Sequence, residues 1–279
     1  MFYDMRMTST NPLADWSAEW LRPHTPRPIR AAMLDFDGTC SLLRAGWPEV
    51  MQGMMREVLA DAGSTPEDHA LAAEIVFSLA GKPTIFQMMR LEEEVKRRGG
   101  SPRAAAHYKD QFTTLLQRQI DSRLAGLSAG THRPSDLTIH GTHELLAALQ
   151  ARGIKLYLAS GTERDAVVRE TQSLGLAPFF GARIYGPRGD DTSFSKRAVV
   201  AEILATEQIP GESLLGIGDG PVETQEVRSV GGVVIGVASD EHGGGSIHAD
   251  KRRHLAAAGA DLIIPDYREH AKLLAMLGL

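Results

Sequence analysis

The chain has 279 residues, 43% hydrophobic and 23% charged, with a net charge of -5, a balance that predicts a packed core in one large domain or a core with a smaller insert and argues against disorder. The mild acidity excludes a surface built to track a nucleic-acid backbone, and no apolar run reaches the roughly 18 residues of a membrane span. The single cysteine, Cys40, excludes an internal disulfide and suits a reducing compartment, and Met1 to Ala32 lacks the apolar stretch of a secretory signal, so a cytoplasmic location without membrane or nucleic-acid partners is the expectation.

Along the chain, Pro12, Pro23, Pro26 and Pro28 mark an irregular lead-in, with a short helix expected around Ala14 to Leu21. The apolar run Ala31–Leu34 then stops at Asp35 and reads as a buried strand ending in a loop. The second half repeats this grammar, with strands expected at Ile154–Ala159, Leu214–Ile217, Val233–Val237 and Leu262–Ile264, and a weaker one at Ala182–Tyr185. Helical patterns lie between them at Thr142–Ala151, Arg164–Leu174 and Lys196–Glu207. Strands alternating with helices imply an α/β fold, a doubly wound parallel sheet covered on both faces.

From Leu43 to about Ser135 the period is helical throughout: Trp47, Val50, Met51, Met54, Val58, then Leu71, Ile75, Leu79, then Ile85, Met88, Met89, Val95. Gly63, Gly81 and Gly99-Gly100 punctuate it. This predicts an all-helical subdomain, its Met and Leu stripes serving as core. The division expected is therefore 1–28 as an N-terminal extension, 29–42 with 136–279 as the α/β core, and 43–135 as a helical insert.

Ligands of a doubly wound sheet bind beyond the C-terminal ends of its strands, so the polar residues after each apolar run come first. They are Asp35 and Asp37 in Asp-Phe-Asp-Gly-Thr, Ser160 in Ala-Ser-Gly-Thr, and Asp219 in Gly-Asp-Gly, with Lys196 at a helix start. A carboxylate can attack phosphorus, and a second one two residues on can give and take protons. Carboxylates suit Mg²⁺. A hydroxyl, backbone N–H groups and an ammonium can hold phosphoryl oxygens, and Gly38 and Gly161 allow backbone to approach the phosphate.

These residues resemble the haloacid dehalogenase superfamily of phosphatases, over Pro28 to the C-terminus and in the family's order. Asp35-Phe-Asp-Gly-Thr39 matches the first motif, Ser160 the second, Lys196 the third, and Gly218-Asp219-Gly-Pro-Val-Glu223 resembles the fourth. The resemblance implies a Rossmann-like core with a helical C1-like cap. It implies Asp35 as nucleophile, Asp37 as acid/base, and Gly38, Thr39, Ser160, Gly161 and Lys196 around the phosphate. Mg²⁺ would be held by Asp35, the Asp37 backbone carbonyl, Asp219 and Glu223. Glu223 departs from the Asp often found there, which leaves open direct ligation, ligation through water, or orientation of other ligands.

The activity expected is Mg²⁺-dependent hydrolysis of a small phosphorylated metabolite, a sugar phosphate or phosphoglycolate-like compound, through an aspartyl-phosphate. The rivals are a beta-phosphoglucomutase-like phosphomutase and a non-catalytic phosphate-ligand binding protein on the same fold. Dehalogenases and phosphonatases are excluded because, as the resemblance implies, they lack an acid at the position of Asp37.

Plainer readings stand beside these. Asp35 and Asp37 could be turn residues, Ser160 a helix cap, Lys196 a solvated lysine and Glu223 a first-turn acid drawn by the helix dipole. Gly216, Gly218 and Gly220 fail the dinucleotide-loop spacing. His242, His248 and His254, around Gly243–Gly245, read as a surface loop rather than a metal site. In the insert, Lys82, Thr84, Gln87 and Arg90 form either a substrate-facing loop or a solvent-facing helix end, with Lys82 and Gln87 the candidates for substrate specificity.

Overall fold

A computed structural model describes residues 16–79, 84–188, 194–241 and 245–279. Its strands are β1 (Glu19–Trp20), β2 (Ala31–Leu34), β3 (Lys155–Ala159), β4 (Ile184–Tyr185), β5 (Leu214–Gly218), β6 (Val233–Val237) and β7 (Leu262–Ile264). They form one sheet in the order β1-β7-β6-β5-β2-β3-β4. Every pairing from β7 to β4 is parallel, whereas β1 runs antiparallel along β7.

The helices are α1 (Trp47–Asp61), α2 (Asp68–Ser78), α3 (Ile85–Arg97), α4 (Ala105–Ala129), α5 (Thr142–Ala151), α6 (Arg164–Ser173), α7 (Ala177–Phe180), α8 (Lys196–Glu207), α9 (Pro221–Ser229), α10 (Ala249–Ala258) and α11 (His270–Leu277). Strand side chains alternate between two faces, and each face is covered. Ala32, Leu34, Leu156, Leu158, Leu215, Ile217 and Ile235 pack with Leu145 and Leu149 of α5, Val167 of α6 and Leu274 of α11. Ala31, Met33, Tyr157, Leu214, Val234 and Ile263 pack with Val199 and Ile203 of α8, Val227 of α9 and Leu255 of α10. Gly216 belongs to this second layer. A Cβ there would stand 2.8 Å from the Val227 side chain, so its place in the Gly-x-Gly run is explained by close helix-on-sheet packing.

The expected strands and core helices are found within a residue or two of their predicted ends, apart from the weak Ala182–Tyr185 strand, which shortens to β4. The helix expected around Ala14–Leu21 is not found over its described part. Glu19 and Trp20 instead pair with Ile263 and Leu262, Leu21 N–H donates to the Asp261 carbonyl (2.8 Å), and the Trp16 indole donates to the Asp266 carbonyl (2.9 Å). A helix this short is marginal in water, and the open edge of β7 supplies backbone partners that a strand can use.

Between β2 and β3 lie α1 to α4, with an interior of their own: Met51, Met54, Met55 and Leu59 of α1, Ile75 and Val76 of α2, Met88, Leu91 and Val95 of α3, Tyr108 and Phe112 of α4. Met88, Leu91 and Val95 fix the buried stripe of α3. Met89, read as part of that stripe, falls off it and is 46% exposed. The insert is tied to its own base by α4: Arg123 Nη1 donates to the carbonyls of Leu43 (2.7 Å) and Ala45 (2.9 Å), and Gln119 Nε2 to that of Ala45 (2.6 Å).

Candidate active site

Strand register brings the candidate residues together. Leu34 at the end of β2 pairs with Leu158 of β3 on one side and with Ile217 of β5 on the other. One step further, Asp35 stands between the Ser160 loop and Asp219. The next segment is a tight loop in which the N–H groups of Cys40 and Ser41 donate to the Phe36 carbonyl, both at 2.8 Å.

Gly38 sits in this loop at φ +72°, a conformation that favours glycine. A Cβ there would lie 2.1 Å from Asp219 Oδ2, so glycine is required sterically as well. Its N–H donates to the Ser41 carbonyl (3.0 Å) and that of Thr39 to the Phe36 carbonyl (3.3 Å). These two backbone donors are engaged inside the loop. The buried Thr39 hydroxyl faces Asp219 Oδ1 at 3.4 Å, and the Thr39 carbonyl accepts from Tyr267 Oη (3.0 Å).

Asp35 is buried. Lys196, at the N-terminus of α8, donates to Asp35 Oδ1 (2.5 Å) and to Glu223 Oε2 (2.6 Å). The other oxygen of Glu223 accepts the Gly220 N–H (2.6 Å), closing the first turn of α9. Burial pushes the Asp35 carboxyl well above the usual carboxylate range, with Glu223 and Asp219 adding to the push and Lys196 opposing it. Burial pushes the Lys196 ammonium down, but Asp35 and Glu223 outweigh it and hold it above the usual lysine range. Lys196 is therefore an ammonium ion shared by two carboxylates, not a solvated lysine.

Asp37 has both oxygens occupied. Arg44 Nη1 donates to Oδ1 (2.9 Å) and the Thr162 hydroxyl to Oδ2 (2.8 Å). Arg44 also grips Glu170 of α6 through two bonds, at 2.6 and 2.8 Å. Burial raises the Glu170 carboxyl, and Arg44 works against that shift. Ser160 is buried, and its oxygen accepts the Thr162 N–H at 3.0 Å. It stabilises its own loop rather than capping α6, and its proton remains available to another acceptor. Among the described residues, nothing comes within 4 Å of the open side of Gly161.

On the far side of Asp35, Asp219 follows β5 directly. Lys251, in the first turn of α10, donates to Asp219 Oδ2 (2.9 Å) and to Glu241 Oε1 (2.5 Å). Burial raises the Asp219 carboxyl, against the pull of Lys251. Asp35, Asp219 and Glu223 each bring one carboxylate oxygen within 4.8 Å of the others. Hard oxygen donors, Asp35 and Glu223 buried and Asp219 half-buried, fit a divalent cation such as Mg²⁺. Of the four residues read as metal ligands, these three converge through their side chains, while the Asp37 carboxylate is turned to Arg44 and Thr162.

Of the two insert candidates, only Gln87 is among the described residues, and it is not brought to the site. Gln87 is buried inside the insert and donates to the Val76 carbonyl (2.9 Å), because a buried amide must find a partner. This corrects the expectation that it faces substrate. Lys82 lies outside the described residues, as does His242. His248 caps α10 by accepting the Lys251 N–H at 3.4 Å.

Sequence reasoning missed Arg44, Thr162, Glu170, Glu241 and Lys251. A signal existed for two of them. Thr162 stands two residues after Ser160, and Lys251 opens the helix that follows β6, much as Lys196 opens the helix that follows β4. Arg44 and Glu170 meet 126 positions apart, and nothing local announces such a pair.

No curated relative matches the sequence. Among solved structures, a haloacid dehalogenase family hydrolase from Deinococcus radiodurans R1, with bound phosphate and sodium, is 20% identical, with TM-score 0.58 over 90% of this chain and 97% of its own. A predicted phosphoglycolate phosphatase from Haemophilus somnus 129PT is 16% identical, with TM-score 0.55 over 88% and 98%. A beta-phosphoglucomutase from Clostridium difficile is 14% identical, with TM-score 0.55 over 90% and 97%. At these identities the structures establish the fold alone. The family model described as haloacid dehalogenase-like hydrolase matches residues 29–231, a span that is most of the chain and includes Asp35, Ser160, Lys196, Asp219 and Glu223, and the chain belongs to the haloacid dehalogenase-like hydrolases.

Proposed function

We propose that the chain is a Mg²⁺-dependent phosphatase that hydrolyses a small phosphomonoester, a sugar phosphate or phosphoglycolate-like metabolite, through an aspartyl-phosphate on Asp35. The observation that carries this is the pairing of two unlike carboxylates at one strand end: Asp35 buried beside Lys196 and the acidic cluster, Asp37 held at both oxygens by Arg44 and Thr162.

In the first step an Asp35 oxygen forms a bond to phosphorus as the bond to the leaving oxygen breaks, and Asp37 supplies the proton that the leaving oxygen takes. In the second, Asp37 takes a proton from water, the water oxygen bonds to phosphorus, and the Asp35–phosphorus bond breaks. Thr162 suits this exchange. Its hydroxyl can donate to Asp37 when that group is ionised and accept from it when protonated, while Arg44 keeps the other oxygen in place. Ser160, the Gly161 N–H and Lys196 would hold the phosphoryl oxygens. A Mg²⁺ ion held by Asp35, Asp219 and the Asp37 carbonyl, with Glu223 orienting Lys196, would offset the repulsion between Asp35 and a phosphate dianion.

Under this reading residues 29–42 and 136–279 act as the catalytic core, 1–28 as an extension, and 43–135 as a cap that closes over the site and selects substrates. Support for a cap comes from its separate interior and from its base lying beside Arg44.

The test is phosphate release from an aryl phosphate, then from a panel of sugar and carboxylate phosphomonoesters, with and without EDTA. Inorganic phosphate released only with Mg²⁺ supports the reading. Conversion of one sugar phosphate isomer to another without release would make the chain a phosphomutase. Tight phosphate binding with no turnover would make it a binding protein.

A further inference from the structure

Two lysines, not one, serve the acidic cluster. Lys196 bridges Asp35 and Glu223, and Lys251 bridges Asp219 and Glu241. Four carboxylates share two ammonium groups, an excess of two negative charges that one divalent cation would balance. The two lysines differ in which ligand they hold and in where they stand. Each holds an oxygen of a residue that would ligate the cation, Lys196 at Asp35 Oδ1 and Lys251 at Asp219 Oδ2, but of the two lysines only Lys251 lines the cavity described next.

Lys251, Asp219 and Glu241 also share the wall of a cavity of about 590 Å³ between the start of α1, near Trp47, and helices α9 and α10. A cation reaching Asp219 through this cavity meets Lys251. We propose that Lys251 is a resident competitor for the cation position at Asp219: its ammonium occupies the carboxylate until a divalent cation displaces it, and Glu241 retains the displaced lysine nearby. The inference rests on the Mg²⁺ reading above. It assigns to Glu241 and Lys251 a role in setting cation affinity.

The test is calorimetric titration of the full chain with MgCl₂ in the absence of substrate. Lys251→Met and Lys251→Gln should each bind Mg²⁺ roughly tenfold more tightly than wild type, the scale of one partly screened charge at hydrogen-bond distance. The ratio should persist in about 0.5 M KCl, where an effect of the general field would be screened away. Glu241→Gln should weaken Mg²⁺ binding in the wild-type background and change it much less in Lys251→Met, since its role works through the lysine.

A second measurement uses wild-type protein only. Acylation of Lys251 by an amine-reactive ester, read by peptide mass spectrometry, should rise when Mg²⁺ is added, relative to the exposed Lys155. Equal Mg²⁺ affinity in wild type and both Lys251 variants, or Lys251 reactivity unchanged while Mg²⁺ binds, would overturn the proposal. Absence of Mg²⁺ binding in wild type and variants alike would overturn the metal reading itself, and the proposal with it.

Discussion

Asp35 and Asp37 are the same residue type two positions apart, and their neighbours give them different work. Asp35→Asn should abolish turnover and leave no phosphorylated protein after an acid quench, as read by intact mass. Asp37→Asn should cut turnover by roughly 10²–10⁴-fold, the usual contribution of general acid–base catalysis, and accumulate phosphorylated Asp35 with nitrophenyl phosphate, whose leaving group needs no proton. Wild-type-like turnover in Asp37→Asn would sink the assignment. Arg44 carries a different load. Arg44→Met would leave Glu170 buried without its partner, a loss of about 3–5 kcal/mol for a broken buried pair. The double variant Arg44→Met/Glu170→Met should regain most of that stability in chemical denaturation while turnover stays low, because Asp37 is then held at Oδ2 alone. The acidic motif was legible in sequence as residues, yet the grip on Asp37 was not, since Arg44, Thr162 and Glu170 meet only through folding.

At the scale of elements, the helical insert is held partly by charge. Arg98 at the end of α3 donates to Asp68 (2.6 Å), Glu94 (3.1 Å) and the Gly63 carbonyl (3.0 Å). Asp68 is held down to about 2, first by its bond from Arg98, and Glu94 to about 2, first by its bond from Arg97. Folded-state values below the unfolded ones mean that the stabilisation is full above about pH 4.5 and is lost as pH falls toward 2. The helix signal should therefore show an acid transition over that window. Arg98→Met should lower the stability of the insert near neutral pH and flatten its loss on acidification. An unchanged acid profile in Arg98→Met would show that Asp68 does not govern the transition. The insert's helices were readable because their apolar period is local. The edge strand β1 was not, because its partner β7 lies more than two hundred residues downstream.

For the molecule as a whole, burial raises Asp35 and Asp219 despite two lysines, so a bound divalent cation should stabilise the fold. Saturating Mg²⁺ at about a hundred times its dissociation constant should add about 2.7 kcal/mol, and EDTA should remove it, read as a shift in thermal midpoint. Asp219→Asn should lose most of that shift; Glu223→Gln, whose carboxylate is already taken by Lys196 and Gly220, should lose less. The sequence by itself determined the alternation of strands and helices, the inserted helical segment and the residues at the strand ends, because hydrophobic period and turn chemistry act over a few neighbours. Tertiary structure decided which charges meet. The register of β3, β2 and β5 set Ser160, Asp35 and Asp219 side by side, and the close pass of Asp219 over Gly38 fixed that glycine. The packing of α6 and α10 on the sheet delivered Glu170 and Lys251. These contacts span long stretches of chain, and no local pattern encodes a partner at that distance.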